Sequence, residues 1–272
     1  EGREDRSGRR LLMGLLDGMQ GLVIGIANER SYAFHMARSI TEHGGRCAVT
    51  HLPGDKNRAR TERAVSKLGI ERPWLEPLDA SRDDEIVSVF ANYAERHDRL
   101  DFVIHSIAFA EREWLQKGKF IETPREAYLQ AVDISAYTLL GIARAARPQM
   151  ARTGGSIVAM SYYGAEKVVK GYNVMGVAKS ALESTARYLA SELGEDGIRV
   201  NTVSGGYLKT LAASAVGGTD EIVKKNEEIA PLRRNVDGGD VGKTAVYLVS
   251  DLSSGVTAEN IYVDCGVNSI GV

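Results

Sequence analysis

Gly21-Leu22-Val23-Ile24-Gly25-Ile26 is a short, wholly apolar run, rich in β-branched residues and free of charge, and a helical segment follows it from about Tyr32. A run of this length that is apolar at every position reads as a strand buried on both faces, whereas a half-solvated strand would alternate. Six further segments share its character: 46–50 (RCAVT), 74–78 (WLEPL), 100–105 (LDFVIH), 156–160 (SIVAM), 198–203 (IRVNTV) and 260–264 (NIYVD). Between them lie longer stretches of helical period. Thr123-Pro124-Arg125-Glu126 is expected to form a capping box with Pro at the first helical position. Ser81-Arg82-Asp83-Asp84 is expected to open another helix, its acidic residues set where the helix dipole favours them. A third helix spans about Asn173 to Leu193 and stops at Gly194.

Seven buried strands separated by six helical segments predict an α/β protein, a single-domain Rossmann-type doubly wound parallel sheet with helices on both faces. Residues 1–18 are expected to be a mobile N-terminal arm or an added remnant, because EGREDRSGRR has nothing to bury. Met13, opening MGLLDG, is a candidate natural start. Residues 19–272 then form one domain.

Composition narrows the function classes. Lys and Arg number 34 against 36 Asp and Glu, a formal charge of −2, which gives no electrostatic footprint for nucleic acid. No uncharged apolar run approaches the ~18 residues that a membrane span needs. The two cysteines, Cys47 and Cys265, exclude a disulfide framework and point to a reducing, cytoplasmic setting. The five scattered histidines form no metal-binding motif. Glycine is the one abundant outlier, at 29 residues.

Ligands of doubly wound sheets bind at the carboxyl ends of the strands, where strand order reverses. The first strand runs into Gly25-Ile26-Ala27-Asn28-Glu29-Arg30-Ser31, and a glycine followed by a helix N-terminus can receive a pyrophosphate. The G-x-G-x-x-G spacing is absent, so an ordinary strand–helix turn stands beside that reading. Leu78-Asp79-Ala80-Ser81 and His105-Ser106-Ile107-Ala108 close the third and fourth strands with small or polar residues suited to an adenine and a ribose, or to turns and caps. The second strand ends in Thr50-His51-Leu52-Pro53-Gly54, with neither the acid typical of NAD sites nor the base typical of NADP sites. Lys56 and Arg58, farther on, read as a solvated helix start. NADH is the expected cofactor, and NADPH stays open.

The chemistry is placed on Tyr172-Asn-Val-Met-Gly-Val-Ala-Lys179. Seven positions are two turns of helix, so the phenol and the ammonium are expected to share one face. A nearby ammonium would stabilise the phenolate of a Tyr whose ordinary pKa is about 10 and so ease proton donation. The bland alternative is an aromatic and a lysine on a half-exposed helix. Tyr163-Gly-Ala-Glu-Lys167 matches the Tyr-x-x-x-Lys of ordinary short-chain dehydrogenases, but it begins three residues after a strand and is set aside.

From about Gly14 to Val272 the chain resembles the enoyl-acyl-carrier-protein reductases, a divergent branch of the short-chain dehydrogenases. The resemblance rests on Gly25 with Ser31, Asp79, the segment His105 to Ala110, Asp133-Ile134-Ser135, Ser161-Tyr162, Tyr172 to Gly176 with Lys179, and Thr210-Leu211-Ala212-Ala213-Ser214. It implies hydride delivery from NADH to the β-carbon of a trans-2-enoyl thioester carried on acyl carrier protein, in fatty acid biosynthesis by a cytoplasmic homotetramer. It implies catalytic roles for Tyr162, Tyr172 and Lys179, and a substrate pocket lined by Ala110, Tyr162 and Tyr172. The cofactor site it implies comprises Gly25, Ile26, Ala27, Ser31, Tyr32, Leu52, Asp79, Ala80, Ser106, Ile107, Ala108, Met160, Lys179, Gly206, Leu208 and Thr210. Residues 205–230, with Gly205-Gly206 and Gly217-Gly218 as hinges, resemble the family's substrate-covering loop and helix.

The chain departs from the family pattern at several positions. His35 stands in place of a Gly and is expected to crowd the approach of the first helix to the sheet. Leu52 replaces a Gln, Tyr207 a Pro and Cys265 a Gly, the last read as a small buried residue. Gly217, Asp220 and Glu221 stand where relatives place basic residues for the carrier, with Lys224 and Lys225 as substitutes one turn on. A coenzyme A thioester, a carbonyl substrate, or a non-catalytic dinucleotide-binding sensor are the competing readings.

Overall fold

In the computed structural model, which describes residues 14–70, 72–208 and 219–271, the seven strands are β1 (Gln20–Ile24), β2 (Arg46–His51), β3 (Leu75–Pro77), β4 (Phe102–His105), β5 (Gly155–Ser161), β6 (Ile198–Gly205) and β7 (Asn260–Val263). All pair in parallel, in the order β3-β2-β1-β4-β5-β6-β7. The helices are α1 (Tyr32–Glu42), α2 (Asp55–Val65), α3 (Asp83–Arg96), α4 (Arg125–Val132), α5 (Thr138–Met150), α6 (Val174–Leu193), α7 (Thr219–Ile229) and α8 (Gly238–Val249). A π-helical turn over Asp133–Tyr137 joins α4 to α5. No helix among the described residues is long and apolar enough to cross a membrane.

The uniformly apolar strands are explained by what lies on each side. Successive side chains of a strand point to opposite faces. On β1, Val23 packs with α1, α2 and α8, while Leu22 and Ile24 pack with α3, α5 and α6. On β5 the same division sends Val158 and Met160 one way and Ile157 and Ala159 the other. Both faces are therefore core, and the fold class expected from the sequence is the one observed.

Three local expectations are corrected. Residues 14–18 are not a free arm: Leu16 is fully buried in the core and its N–H donates to the His43 carbonyl at 2.9 Å. The domain therefore includes the described residues from Gly14 onward. Thr123 does not cap α4: Pro124 is the N-cap, no side chain closes the box, and the Thr123 hydroxyl turns back to the Lys119 carbonyl. Arg82, and not Ser81, is the N-cap of α3, because the Ser81 hydroxyl and N–H are drawn to Asp79 Oδ1 at 2.7 and 3.0 Å. The acidic first turn of α3 is present as expected.

Because every strand is parallel, their carboxyl ends line one edge of the sheet. Strand order reverses between β1 and β4, whose last residues, Ile24 and His105, are register partners. That crevice is where such sheets receive ligands.

Candidate active site

The crevice begins at Gly25, which has φ +108 and whose absent Cβ would fall 2.1 Å from the Ser106 carbonyl oxygen. Only glycine permits both that backbone and that closeness, so the end of β1 lies directly on the end of β4. The following loop is preset. Thr61 of α2 donates its hydroxyl to the Ile26 carbonyl at 2.8 Å, and Asn28 Oδ1 accepts the Arg30 N–H at 2.9 Å. Ser31 is the N-cap of α1, accepting from the Phe34 N–H and donating to the Asn28 carbonyl at 2.7 Å. Ile26 is buried and Ala27 exposed, which leaves the backbone before α1 open to solvent at a dipole-favoured position for an anion. Tyr32, the first residue of α1, donates its phenol to the Gly206 carbonyl and ties this loop to the end of β6.

The remaining cofactor candidates follow the sheet edge. Leu52 lies just beyond β2 and is 59% exposed, its carbonyl held by His51 Nδ1. Lys56 and Arg58 lie exposed in the first turn of α2, Arg58 paired with Glu62 at 2.8 Å, as a solvated helix start should be. Asp79 closes β3 with Oδ1 engaged by Ser81, and Ala80 behind it is buried. Ser106, Ile107 and Ala108 leave β4, and Ser135 of the π-turn fastens this segment: Phe109 N–H donates to Ser135 Oγ at 3.0 Å and Ser135 Oγ–H to the Phe109 carbonyl at 3.2 Å. A π-turn adds one residue to the helical ladder and is common at functional sites; here it turns Ser135 toward the crevice. Gly206 and Leu208 leave β6 on the far side, while Thr210 lies outside the described residues.

The chemical pair gathers at the end of β5, although not as the spacing predicts. Helix α6 starts at Val174, so Tyr172 is not helical; it lies in the preceding turn, separated by Asn173 at φ +46. With ψ −124 this backbone lies outside the left-handed helical region, and the Asn173 amide secures the turn by donating to the carbonyls of Trp114 and Gln116 at 2.7 and 2.8 Å. The Tyr172 ring meets the Tyr162 ring edge-on, centroids 4.9 Å apart, and packs with Ala110 against the small core of Leu115, Val174, Met175 and Ala178. Lys179, in the second turn of α6, is buried and donates Nζ–H to the Met160 carbonyl at 2.6 Å. Tyr172 and Lys179 thus both converge on β5, at Tyr162 and Met160, by way of tertiary packing and without a shared helical face.

The expected electrostatics of Tyr172 also change. Burial first, then the phenols of Tyr162 and Tyr32 and the carboxylate of Glu183, push Tyr172 above the ordinary range. The phenol is therefore neutral at all working pH values, a hydrogen-bond donor, and the ammonium-stabilised phenolate is not what the surroundings favour. Lys179 moves the other way, down to about 8, because burial penalises the ammonium more than Glu183 stabilises it. His105, fully buried beside it on β4, falls to about 3 through burial and the Lys179 charge. Since Thr138 Oγ1 donates to the Ile134 carbonyl, it accepts from His105 Nε2–H at 2.8 Å, and Nδ1 is left bare.

Residues 25–268 match the protein family described as Enoyl-(Acyl carrier protein) reductase. The chain belongs to that family. Enoyl-[acyl-carrier-protein] reductase [NADPH] FabI of Staphylococcus aureus is 46% identical over 255 residues, 94% of this chain and 98% of that one. The NADH-type FabI of Synechocystis sp. is 43% identical over 259 residues, 94% of this chain and 99% of that one. Among solved structures, the Bacillus cereus enoyl-acyl carrier protein reductase with NADP+ and indole naphthyridinone superposes with a TM-score of 0.92 at 42% identity, covering 96% of this chain and all of that one. The Anaplasma phagocytophilum reductase in complex with NAD gives 0.89 at 40% identity, covering 95% of this chain and 97% of that one.

Two of the departures from the family pattern find their partners in the structure. His35 does not crowd the sheet. Its ring lies against α8, where Gly238 makes room: a Cβ there would sit 2.1 Å from the imidazole. Cys265 is buried and has φ +60, a backbone that glycine would adopt more easily. Glu183 was not singled out by the sequence reading. Its signal was a charged residue on the buried stripe of α6, four positions after Lys179 and between Leu182 and Ala186.

Proposed function

We propose that this enoyl-acyl-carrier-protein reductase family member reduces the trans-2 double bond of an enoyl thioester in fatty acid biosynthesis, using NADH. The observation that carries the reading is the meeting of Tyr162, Tyr172 and Lys179 at the carboxyl end of β5, beside the crevice opened by Gly25 and Ser106. The residues present suit a dinucleotide: open backbone before α1, a glycine at the end of β1, and the Lys179 ammonium docked at the end of β5. A bound nicotinamide would supply hydride to the β-carbon of the substrate.

Tyr172 donates its O–H to the thioester oxygen as negative charge develops there, the kind of interaction that strengthens only toward the transition state. Burial suits this role, because a neutral phenol keeps its proton and a dry site makes the hydrogen bond stronger. Tyr162, edge-on to Tyr172, fixes the ring and walls the pocket together with Ala110. Lys179 has three N–H donors; one is committed to Met160, and the others would hold the ribose hydroxyls of the cofactor. The segment 205–230, of which residues 209–218 lie outside those described, would cover the substrate, and Tyr32 anchors its near end at Gly206.

The thioester is carried by acyl carrier protein, the assembly is a homotetramer, and the setting is the cytoplasm. A second reading, a coenzyme A thioester, draws on α7: Lys224 and Lys225 are exposed, but so are Glu227 and Glu228, a mixed surface for an acidic carrier. NADPH remains the second cofactor reading, since relatives of both types are similar to this chain and Leu52 brings no charge. Purified protein should consume NADH with a crotonyl thioester, read as loss of reduced-nicotinamide absorbance. Carrier-linked and coenzyme-A-linked substrates, each with NADH and NADPH, separate the readings. No oxidation in any combination refutes the proposal.

A further inference from the structure

Two charged residues lie on the buried stripe of α6, Lys179 and Glu183, only 4% and 6% exposed. Charges in such a position need partners. Each is tied to β5, at consecutive residues: Lys179 Nζ to the Met160 carbonyl at 2.6 Å, and Glu183 Oε1 to the Ser161 hydroxyl at 2.5 Å. A second donor reaches the same carboxylate oxygen, Asn260 Nδ2 of β7 at 3.2 Å. The orientation of that amide is set in turn by Thr202 of β6, whose hydroxyl donates to Asn260 Oδ1 at 3.0 Å. Burial is the largest influence on Glu183 and pushes its pKa up; against it, two donors converge on one oxygen and favour the charged carboxylate, and the chain Thr202–Asn260–Glu183–Ser161 draws on four elements to supply them.

We propose that Glu183 is a positioning residue for the reaction, a buried counter-charge that keeps Lys179 protonated and docked on β5 so that the lysine can hold the cofactor. This rests on the reading of Lys179 given above. Across α6, β4, β5 and β7 the ionisable groups facing the pair are few. His105 faces Lys179 from β4 and stays neutral. Glu183 meets Arg187 on its own helix, Glu166 just beyond β5, Tyr262 of β7, and Tyr172. Glu183 is the acid that raises the Lys179 pKa against its burial. Without it, burial acts unopposed and the ammonium loses its proton at lower pH.

The test is the pH profile of dinucleotide binding by the full chain, with the Kd for NADH measured by calorimetry from slightly acid to alkaline pH. In the parent protein affinity falls as pH rises through about 8, where Lys179 discharges. Glu183→Gln keeps the volume and removes the charge, and should move that midpoint down by about one pH unit. Affinity is then unchanged near pH 6 and about five- to tenfold weaker between about pH 8 and pH 9. Ser161→Ala, which removes one donor and leaves the helix intact, should move the midpoint in the same direction by less, and it serves if the Gln variant does not fold. Trace acetylation of Lys179, quantified by mass spectrometry across the same pH range without cofactor, should show the same displacement. A loss of affinity equal at all pH values, or an unmoved acetylation profile in both variants, overturns the proposal. If the parent protein binds no dinucleotide, the functional reading fails by itself, and the acetylation profile still decides whether Glu183 governs the lysine.

Discussion

Gly25→Ala tests the junction on which the whole crevice is built. The new Cβ would sit 2.1 Å from the Ser106 carbonyl oxygen and 2.7 Å from its carbon, at a residue with φ +108. An ordinary contact is more than an ångström longer, so either β1 or β4 must give at its end. Holding Ala in that backbone costs about 1–3 kcal/mol, and forcing a methyl into a packed junction costs about 1–3 kcal/mol more. The sum, about 4 kcal/mol, exceeds a hundredfold in an equilibrium constant, since each 1.4 kcal/mol is about tenfold. Denaturant unfolding reads the part taken from stability, and dinucleotide titration reads the part absorbed by splaying the crevice. Gly194→Ala is the matched control: φ is −61 and nothing lies within 4 Å of its Cβ position, so it should be neutral or stabilise by about 0.5 kcal/mol. If Gly25→Ala unfolds at the same denaturant concentration as Gly194→Ala and binds cofactor equally well, the junction is not what shapes the site.

Other changes probe single links. Tyr172→Phe should lower kcat by about 10²–10³-fold with cofactor affinity kept, as expected for a lost oxyanion donor, whereas Lys179→Ala should weaken the cofactor too; steady-state kinetics with NADH titration separates them. His105 is held at about 3 by burial, far below its unfolded value of about 6.5. Its unfolded form therefore binds the extra proton, and stability present above pH 6.5 is lost as pH falls toward 3, about 2 kcal/mol by pH 5. Denaturation curves of His105→Gln should accordingly be flatter over that range, and an unchanged acid limb would refute the assignment. Gly238→Ala should cost about 1–3 kcal/mol through its clash with the His35 ring, and His35→Ala in the same chain should recover most of it; additive losses in this double-mutant cycle would mean that the ring has another place to go.

Much of the fold was legible because burial leaves its mark locally. A strand covered on both faces has no reason to be polar anywhere, and β1, β4, β5 and β6 read that way in one pass. Caps were less legible. Thr123 and Ser81 have the right chemistry to cap α4 and α3, but each hydroxyl found a competing partner in its own turn, Lys119 and Asp79, that spacing does not weigh. The arm was overextended by a few residues for the same reason: Leu16 looks expendable until His43 is brought beside it.

The parallel sheet, its covered faces and the family that the motifs resemble were legible in the chain alone. These follow from periodicity and residue type, which a chain carries before it folds. How the chemical groups come together depends on packing. Tyr172 sits outside the helix, and burial keeps its phenol protonated. Lys179 docks on the Met160 carbonyl, Glu183 takes the Ser161 hydroxyl, and a glycine about two hundred positions away makes room for the His35 ring. Charge, contact and desolvation depend on distance in space, and that distance is set only once α6, α8 and the sheet edge have packed.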